Sequence, residues 1–351
     1  MKRIPCAVLG ASGVVGQHFM RMLVDHPYFE LKVICAGDAR VGSKLKTAKE
    51  QVDGGIPSAF ESLEFDAIDV DLLVKKGIKI AFSALPTDVA KGIEKKAAKA
   101  GICIFSNAGA NRMEPDVPIL IPEINAPHID LVKQQNTPGF IITNANCTTT
   151  GLTMALLPFL NLDIQKLVVA SYQAISGAGY PGLSAMDINA NVIPFIKNEE
   201  PKLVRESRKI CGAFTGQSIE STTWHVFGHC IRVPTIIGHL ISVHMELGSK
   251  TSFNQIKDAI LTYEPPAEVR GLPTAPIQPV IYAEEPDRPQ PRYDILLGEP
   301  KRAEGMAVVI GRIEVRDNIV RFISLSNNLV RGAAGGSVLN AELAYKKDLF
   351  S

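Results

Sequence analysis

Cys147 stands in the segment Ile141-Ile142-Thr143-Asn144-Ala145-Asn146-Cys147-Thr148-Thr149-Thr150-Gly151. An apolar, β-branched run gives way to short polar residues, and Leu152–Leu157 then reads as a helix. A thiol at such a strand-to-helix turn sits among the free N–H groups and positive dipole end of the helix. That setting is expected to lower its pKa and favour the nucleophilic thiolate. A half-buried structural cysteine is the plain alternative, and other parts of the chain must decide.

A thiolate beside a redox cofactor can add to an aldehyde, lose hydride from the thiohemiacetal, and pass the resulting acyl group to an acceptor. That route needs an acid/base, a stabiliser for the tetrahedral oxyanion, and groups that hold the substrate. The run Arg232-Val-Pro-Thr-Ile-Ile-Gly-His239 offers two of these. His239 follows a glycine and starts the run Leu240–Met245, so it can project from a strand end into a cleft. His225, His229 and His244 compete for that role, and spacing does not exclude them. Arg232 can clamp a carboxylate in bidentate fashion, or can serve a surface ion pair.

The cofactor signal lies upstream. Gly10-x-x-Gly13-x-x-Gly16 follows an apolar run, Ile4–Leu9, and precedes a helical pattern through Leu23. In that context the glycines allow a tight turn, approach of backbone to a pyrophosphate, and close helix packing. Ser12, Val14 and Val15 complete the loop. At the end of the second strand, Asp38 can bind a ribose 2′-OH, which suits NAD, whereas Arg40, Ser43 and Lys44 can hold the 2′-phosphate of NADP.

These residues require elements to position them. Leu31–Cys35, Ile78–Phe82 and Ile102–Phe105 read as strands, with a helix over 91–100, and Ile141–Thr143 as the last strand of a parallel, doubly wound sheet. Beyond it, Leu167–Ala174, Ile231–Val233, His239–Leu247, Met306–Glu314 and Arg321–Leu325 are β-rich and separated by loops rich in proline and charge. Arg331–Gly336 opens a final helix, expected to be amphipathic through Tyr345 and to pack back on the first domain. The fold class is therefore α/β. An N-terminal Rossmann-like dinucleotide-binding domain (1–146, plus the C-terminal helix 331–351) joins a C-terminal α+β domain (147–330) that carries most of the catalytic candidates. The single Trp224 carries no functional signal.

Composition narrows the partners. The 351 residues include 37 basic and 36 acidic side chains, so no charge excess points to nucleic acid or an anionic membrane. The longest apolar runs are too short to span a bilayer, and no signal peptide is expected from Met1–Cys6. Six scattered cysteines show no metal-ligand spacing, and free thiols suit a reducing cytoplasm. A small-molecule substrate and no metal are expected.

The loop Gly10–Gly16, the segment Asn144–Thr150, Ser171-Tyr-Gln-Ala-Ile-Ser-Gly-Ala-Gly179, Arg232…Gly238-His239 and Asn328-Leu-Val-Arg-Gly-Ala-Ala-Gly-Gly336 occur in an order that resembles the aspartate-semialdehyde dehydrogenase family. The resemblance is strongest to its archaeal and fungal-type branch, which Asp287–Arg292 and Gly305–Gly311 also resemble. It implies an NADP-dependent reductive dephosphorylation of aspartyl phosphate to aspartate semialdehyde, with NAD as a further possibility, in amino-acid biosynthesis. Cys147 would form the acyl-thioester and His239 would act as acid/base. Gln173 would position substrate, with Asn146 beside the nucleophile, and Arg232 would bind the substrate α-carboxylate. Glu199 (or its neighbour Glu200) would meet the ammonium, and Lys202 and Arg112 the phosphate. Asn328 and the turn Ser176–Gly179, with Gly177, would contact the nicotinamide side of the cofactor. The residues 197–202 are expected to be a charged loop. The resemblance also implies a homodimer, or a homotetramer made from two.

Three rivals remain at this level. One is a malonyl-CoA or succinyl-CoA reductase of the same fold. The others are N-acetylglutamyl-phosphate reductase and a silent dinucleotide-binding module in which Cys147 is structural.

Overall fold

A computed structural model describes residues 3–51 and 55–350. Residues 1, 2, 52–54 and 351, which fall within the first expected domain, lie outside that description. Six short strands form the first sheet: β1 (Ile4–Leu9), β2 (Phe29–Cys35), β3 (Phe65–Asp66), β4 (Ile80–Ser83), β5 (Cys103–Ser106) and β6 (Ile141–Thr143). They pair in the order β3-β2-β1-β4-β5-β6, all parallel. Alternate residues of these strands enter separate apolar layers. Cys6, Val8, Ile80, Phe82 and Phe105 face one side, and Ala7, Leu9, Ala81 and Ile104 the other. Burial on both faces is what a parallel sheet with helices above and below requires.

That strand order reverses between β1 and β4. In an open α/β sheet, ligands bind at the carboxyl ends of the strands beside such a reversal. The fold thus places the loops after β1, β4, β5 and β6 around one crevice.

The second sheet runs β10-β7-β11-β14-β13-β12. Its strands are β7 (Ile164–Gln173), β10 (His225–Arg232), β11 (His239–Leu247), β12 (Val280–Tyr282), β13 (Val308–Arg316) and β14 (Ile319–Ser326). Ala213–Phe214 and Ile219–Glu220 (β8 and β9) form a separate two-stranded ribbon. The second sheet is mixed: β10 and β12 pair in parallel with their neighbours, and the inner pairs are antiparallel. Leu167, Val169, Ile241, Val243 and Met245 bury one face against Leu152 and Leu156 of the helix Cys147–Leu156. The opposite face leaves Val168, Tyr172 and Phe227 exposed.

Two sequence expectations change here. The final helix is not amphipathic: Gly335 to Ala344 are buried on every side. It packs against β5 and the helix Val14–Leu23, while Val338, Leu339 and Leu343 join the core of the first sheet. It also starts later than expected, because Val330–Ala334 winds as a π-turn before the α-helix Gly335–Lys346. The charged loop expected at 197–202 is in part the first turn of the helix Glu199–Ile210. Its charge masked the pattern of Leu203, Glu206 and Ile210, which that helix buries.

Candidate active site

Gly10 is the first requirement of the crevice. It turns at φ +79°, and a Cβ there would stand 2.7 Å from the Ala84 carbonyl oxygen. This turn delivers Ser12 and Gly13 to the start of the helix Val14–Leu23, whose first N–H groups have no side-chain cap. Uncapped N–H groups at a helix start are suited to a pyrophosphate. A cleft of about 800 Å³ opens there, lined by Ser12, Gly13, Val14, Val15, Gly16 and Arg40 on one side. Ser176, Gly177, Gly179, Asn328, Lys202, Arg112, Asn146 and Cys147 line the remainder. A second cleft of similar size, about 790 Å³, lies between His18–Val24 and Ile295–Glu304 and holds none of the expected residues.

The cofactor residues divide. Gly10 shapes the turn without lining the cleft. Ser43 is turned away, its hydroxyl donating to the Arg40 carbonyl at 2.6 Å. Asp38 and Lys44 are exposed and do not line the cleft, whereas Arg40 does. Asn328 is held by two bonds: its Oδ1 accepts from the Gly238 N–H at 2.9 Å and its Nδ2 donates to Ser176 Oγ at 2.9 Å.

Chain direction fixes the candidate nucleophile. β6 ends at Thr143, and Asn146 becomes the N-cap of the helix Cys147–Leu156. Asn146 Oδ1 accepts from the N–H groups of Thr148 and Thr149, at 3.0 and 3.1 Å. Cys147 therefore occupies the first helical position, with its sulfur 3.2 Å from His239 Nε2. Gly332, in the π-turn, closes the other side. A Cβ there would come within 2.8 Å of Cys147 Cβ, so only glycine fits.

The ionisation of this pair differs from expectation. Burial pushes the Cys147 thiol up to about 12, and the Glu199 carboxylate adds to the shift. Arg112, Arg232 and the Thr148 N–H oppose it without prevailing. The Thr148 N–H serves the sulfur and the Asn146 cap together, and burial outweighs what the helix start supplies. Burial, reinforced by Arg232, lowers His239 to about 3. Both shifts favour a neutral thiol beside a neutral imidazole. The Ala174 N–H donates to His239 Nδ1 at 3.1 Å, which leaves the ring proton on Nε2, facing the sulfur. His225, His229 and His244 are exposed along β10 and β11 and take no part.

The remaining groups surround this pair. Arg232 ends β10, is buried, and donates from Nη1 to the Ala174 carbonyl at 2.6 Å. Gln173 ends β7 opposite it in register and donates to Ser171 Oγ at 3.1 Å. Gly177 lies against both Arg232 and His239. Glu199 is buried, and its Oε1 accepts from Asn146 Nδ2 at 2.9 Å and Thr148 Oγ1 at 3.2 Å. Its Oε2 lies 3.5 Å from Lys202 Nζ. Glu200 points elsewhere and accepts from the Cys230 N–H at 3.0 Å, which separates the two adjacent acids.

Sequence reasoning missed three contributors: the Ala174 N–H, Gly332 and Glu206. Gly332 lies within the motif Asn328–Gly336 and had a signal in its glycines. Glu206 had one only if the helix Glu199–Ile210 is recognised, because it then shares a face with Glu199.

A doubly wound dinucleotide crevice whose last strand delivers a cysteine to a histidine defines an oxidoreductase of the thiol-dependent aldehyde class. Residues 5–132 match the family model described as semialdehyde dehydrogenase, NAD binding domain, and residues 156–331 that described as semialdehyde dehydrogenase, dimerisation domain. The chain belongs to the semialdehyde dehydrogenase family. It is 42% identical to the aspartate-semialdehyde dehydrogenase of Archaeoglobus fulgidus, over 99% of both chains. The crystal structure of aspartate semialdehyde dehydrogenase with NADP from Candida albicans superimposes with a TM-score of 0.88 at 33% identity, covering 99% of each chain. The malonyl CoA reductase (NADP) of Metallosphaera sedula is 33% identical over 99% of this chain and 98% of its own.

Proposed function

We propose that this protein catalyses the NADP-dependent reductive dephosphorylation of L-aspartyl 4-phosphate to L-aspartate 4-semialdehyde, and its reverse. The observation that carries this reading is the Cys147–His239 pair, 3.2 Å apart, at the edge of the dinucleotide cleft. Around it stand a guanidinium, a buried carboxylate and two further cations, the inventory that a zwitterionic amino acid and a phosphate require. Residues 1–146 and 331–351 would form the dinucleotide-binding unit and 147–330 the catalytic and dimerisation unit.

In the reductive direction the Cys147 sulfur attacks the 4-carbonyl carbon. The C–S bond forms as the thiol proton passes to a phosphate oxygen, and the tetrahedral oxyanion then breaks its carbon–oxygen bond to phosphate, so that hydrogen phosphate departs onto Lys202 and Arg112. His239 holds its proton at Nε2, where it can donate first to the thiolate and then to the oxyanion of each tetrahedral species. Arg232 clamps the α-carboxylate, Glu199 the ammonium, and Gln173 positions the thioester. When bound, the nicotinamide supplies or accepts the hydride. Collapse of the thiohemiacetal oxyanion breaks the C–S bond, frees the aldehyde and returns a thiolate to the His239 N–H, where a proton from solvent restores the thiol.

Arg40 alone of the polar ribose candidates lines the cleft, which supports NADP over NAD. The exposed Val168, Tyr172 and Phe227 share the open face of the second sheet, which would be covered in a homodimer or in a tetramer built from two. Six free cysteines are consistent with a cytoplasmic setting.

The test is to mix the protein with aspartate semialdehyde, phosphate and either NADP or NAD, and to follow cofactor reduction. Phosphate-dependent reduction with NADP is expected. No reduction with either cofactor overturns the reading. The relative named as a malonyl CoA reductase motivates a parallel arm in which malonyl-CoA and NADPH replace those substrates. Turnover there alone would transfer the assignment to that rival.

A further inference from the structure

Glu206 has no role in the reaction just described, yet it is buried beside it. It lies on the helix Glu199–Ile210, two turns beyond Glu199 and on the same face. Its Oε2 accepts from the backbone N–H of Asn146 at 2.7 Å, and its Oε1 accepts from Arg112 Nη1 at 3.1 Å. Side-chain exposure is 4% for Glu206 and 8% for Arg112, so the pair is largely out of water. Glu199 meanwhile holds the Asn146 side chain. One helix face therefore grips the residue before the nucleophile twice, by its backbone and by its amide.

Arg112 is fixed on all three nitrogens. Nε donates to the Asn144 carbonyl at 2.8 Å, Nη2 to the Asn107 carbonyl at 2.7 Å, and Nη1 to Glu206. Three of the five guanidinium N–H groups are thus committed to the protein. Those left belong to a side chain that lines the cleft with Lys202 and Cys147. Such a fork is pre-organised, which reduces the ordering cost of binding an anion.

We propose that Glu206 is a positioning residue for the phosphate subsite: it orients Arg112 toward the leaving phosphate and ties that guanidinium to the N-cap of the nucleophile's helix. This rests on the phosphate-dependent reaction proposed above. Glu206 touches no substrate and acts through Arg112 and Asn146.

Glu206→Gln keeps the shape and separates the two bonds. An amide can present its oxygen to the Asn146 N–H only by turning its NH2 toward Arg112, where two donors then face each other. The KM for phosphate should rise on the order of tenfold or more, as expected for loss of a buried hydrogen bond to a charged group. The KM for aspartate semialdehyde should stay within about twofold, since Arg232 and Glu199 are untouched. Arg112→Lys should reproduce the phosphate effect, and adding Glu206→Gln to it should worsen it by no more than about twofold, the signature of two residues acting as one unit.

A folded, NADP-binding Glu206→Gln enzyme with an unchanged phosphate KM overturns the proposal, as does an equal rise in both KM values. If that variant does not fold, Glu206→Asp retains the charge but withdraws it by one methylene, and the same split between the two KM values decides. Wild-type enzyme inactive with phosphate would instead sink the underlying reaction, so the two failures are distinguishable.

Discussion

Glu199 makes two opposite demands on this site, and Glu199→Gln should expose both. With no substrate present, its carboxylate is the second cause, after burial, that pushes the Cys147 thiol up to about 12. It sits against Asn146 and Thr148, the chain neighbours of Cys147. At a separation of ~7 Å and an effective dielectric of ~20, two unit charges interact with roughly 2 kcal/mol. Cys147 is only partly buried, and screening by water and salt reduces that to about 1 kcal/mol. One pK unit corresponds to about 1.4 kcal/mol, so neutralising Glu199 should lower the thiol by a little under one unit. Below the pKa the thiolate fraction then rises about fivefold, while the less basic sulfur loses about half of that gain on a logarithmic scale, leaving roughly a twofold faster reaction. Glutamine keeps an oxygen for the Asn146 and Thr148 donors, so the loop geometry should persist.

The assay is alkylation by iodoacetamide at fixed pH near 8, followed by mass spectrometry of the peptide bearing Cys147. Faster labelling of that peptide in Glu199→Gln is expected. Turnover should move the other way, because a charge-assisted bond to the substrate ammonium is lost. Such bonds contribute about 1.5–3 kcal/mol, which predicts a KM for aspartate semialdehyde raised roughly 10- to 150-fold. Slower labelling, or turnover at the wild-type level, would refute the reasoning. The same logic implies that the ammonium itself activates the nucleophile. Once paired with the substrate cation, Glu199 no longer opposes ionisation of Cys147.

Gly332→Ala would force a Cβ within 2.8 Å of Cys147 Cβ, and overpacking of this kind costs about 1–3 kcal/mol; turnover should collapse while equilibrium titration still shows NADP binding. Arg40→Ala should weaken NADP by on the order of tenfold in fluorescence titration and leave NAD nearly unchanged, narrowing the preference between them. Acid stability should fall as buried histidines are forced to ionise. His239 is held near 3, and His18 and His128 near 4, by burial, all below the usual 6.5. Between those values and 6.5 the unfolded chain binds more protons, so stability is intact above 6.5 and is lost as the pH drops. The melting temperature measured by calorimetry should decline through that window, and His239→Asn should make the decline shallower by about one proton's worth of slope.

The parts of this molecule legible in the sequence are those set by local pattern. β11 runs over His239–Leu247 as its alternation indicates, and the turn at Gly10 follows from glycine spacing after an apolar strand. β7 and the helix after Gly13 also lie where periodicity puts them, within a few residues. The final helix departs from its amphipathic expectation because that expectation assumes a water-facing side. Here the helix is enclosed between the first sheet and its neighbours, so small residues such as Gly335, Gly336, Ala341 and Ala344 face protein rather than solvent. The strand over 280–282 and the short β3 leave too few residues for any period to register.

The site shows the same division more sharply. Residue types made Cys147 a candidate, and a strand start after glycine made His239 one among four histidines, because local rules reach that far and no further. Ionisation does not follow from such a rule. A helix start lowers a thiol only where burial does not outweigh it, and here the Thr148 N–H is outweighed by desolvation of the sulfur. Whether Asn146 is a substrate ligand or a cap is likewise invisible in one dimension. In the fold its oxygen caps the helix, its amide NH2 reaches Glu199, and its backbone N–H reaches Glu206. Asn146 is thus held at three atoms by two helices, its own and the sequence-distant Glu199–Ile210. Substrate contacts at Asn146 must compete with those bonds, and the reactive state of Cys147 depends on charges carried by the helix Glu199–Ile210. The cysteine supplies the sulfur, burial holds it neutral, and the Glu199 carboxylate of that helix adds to the hold.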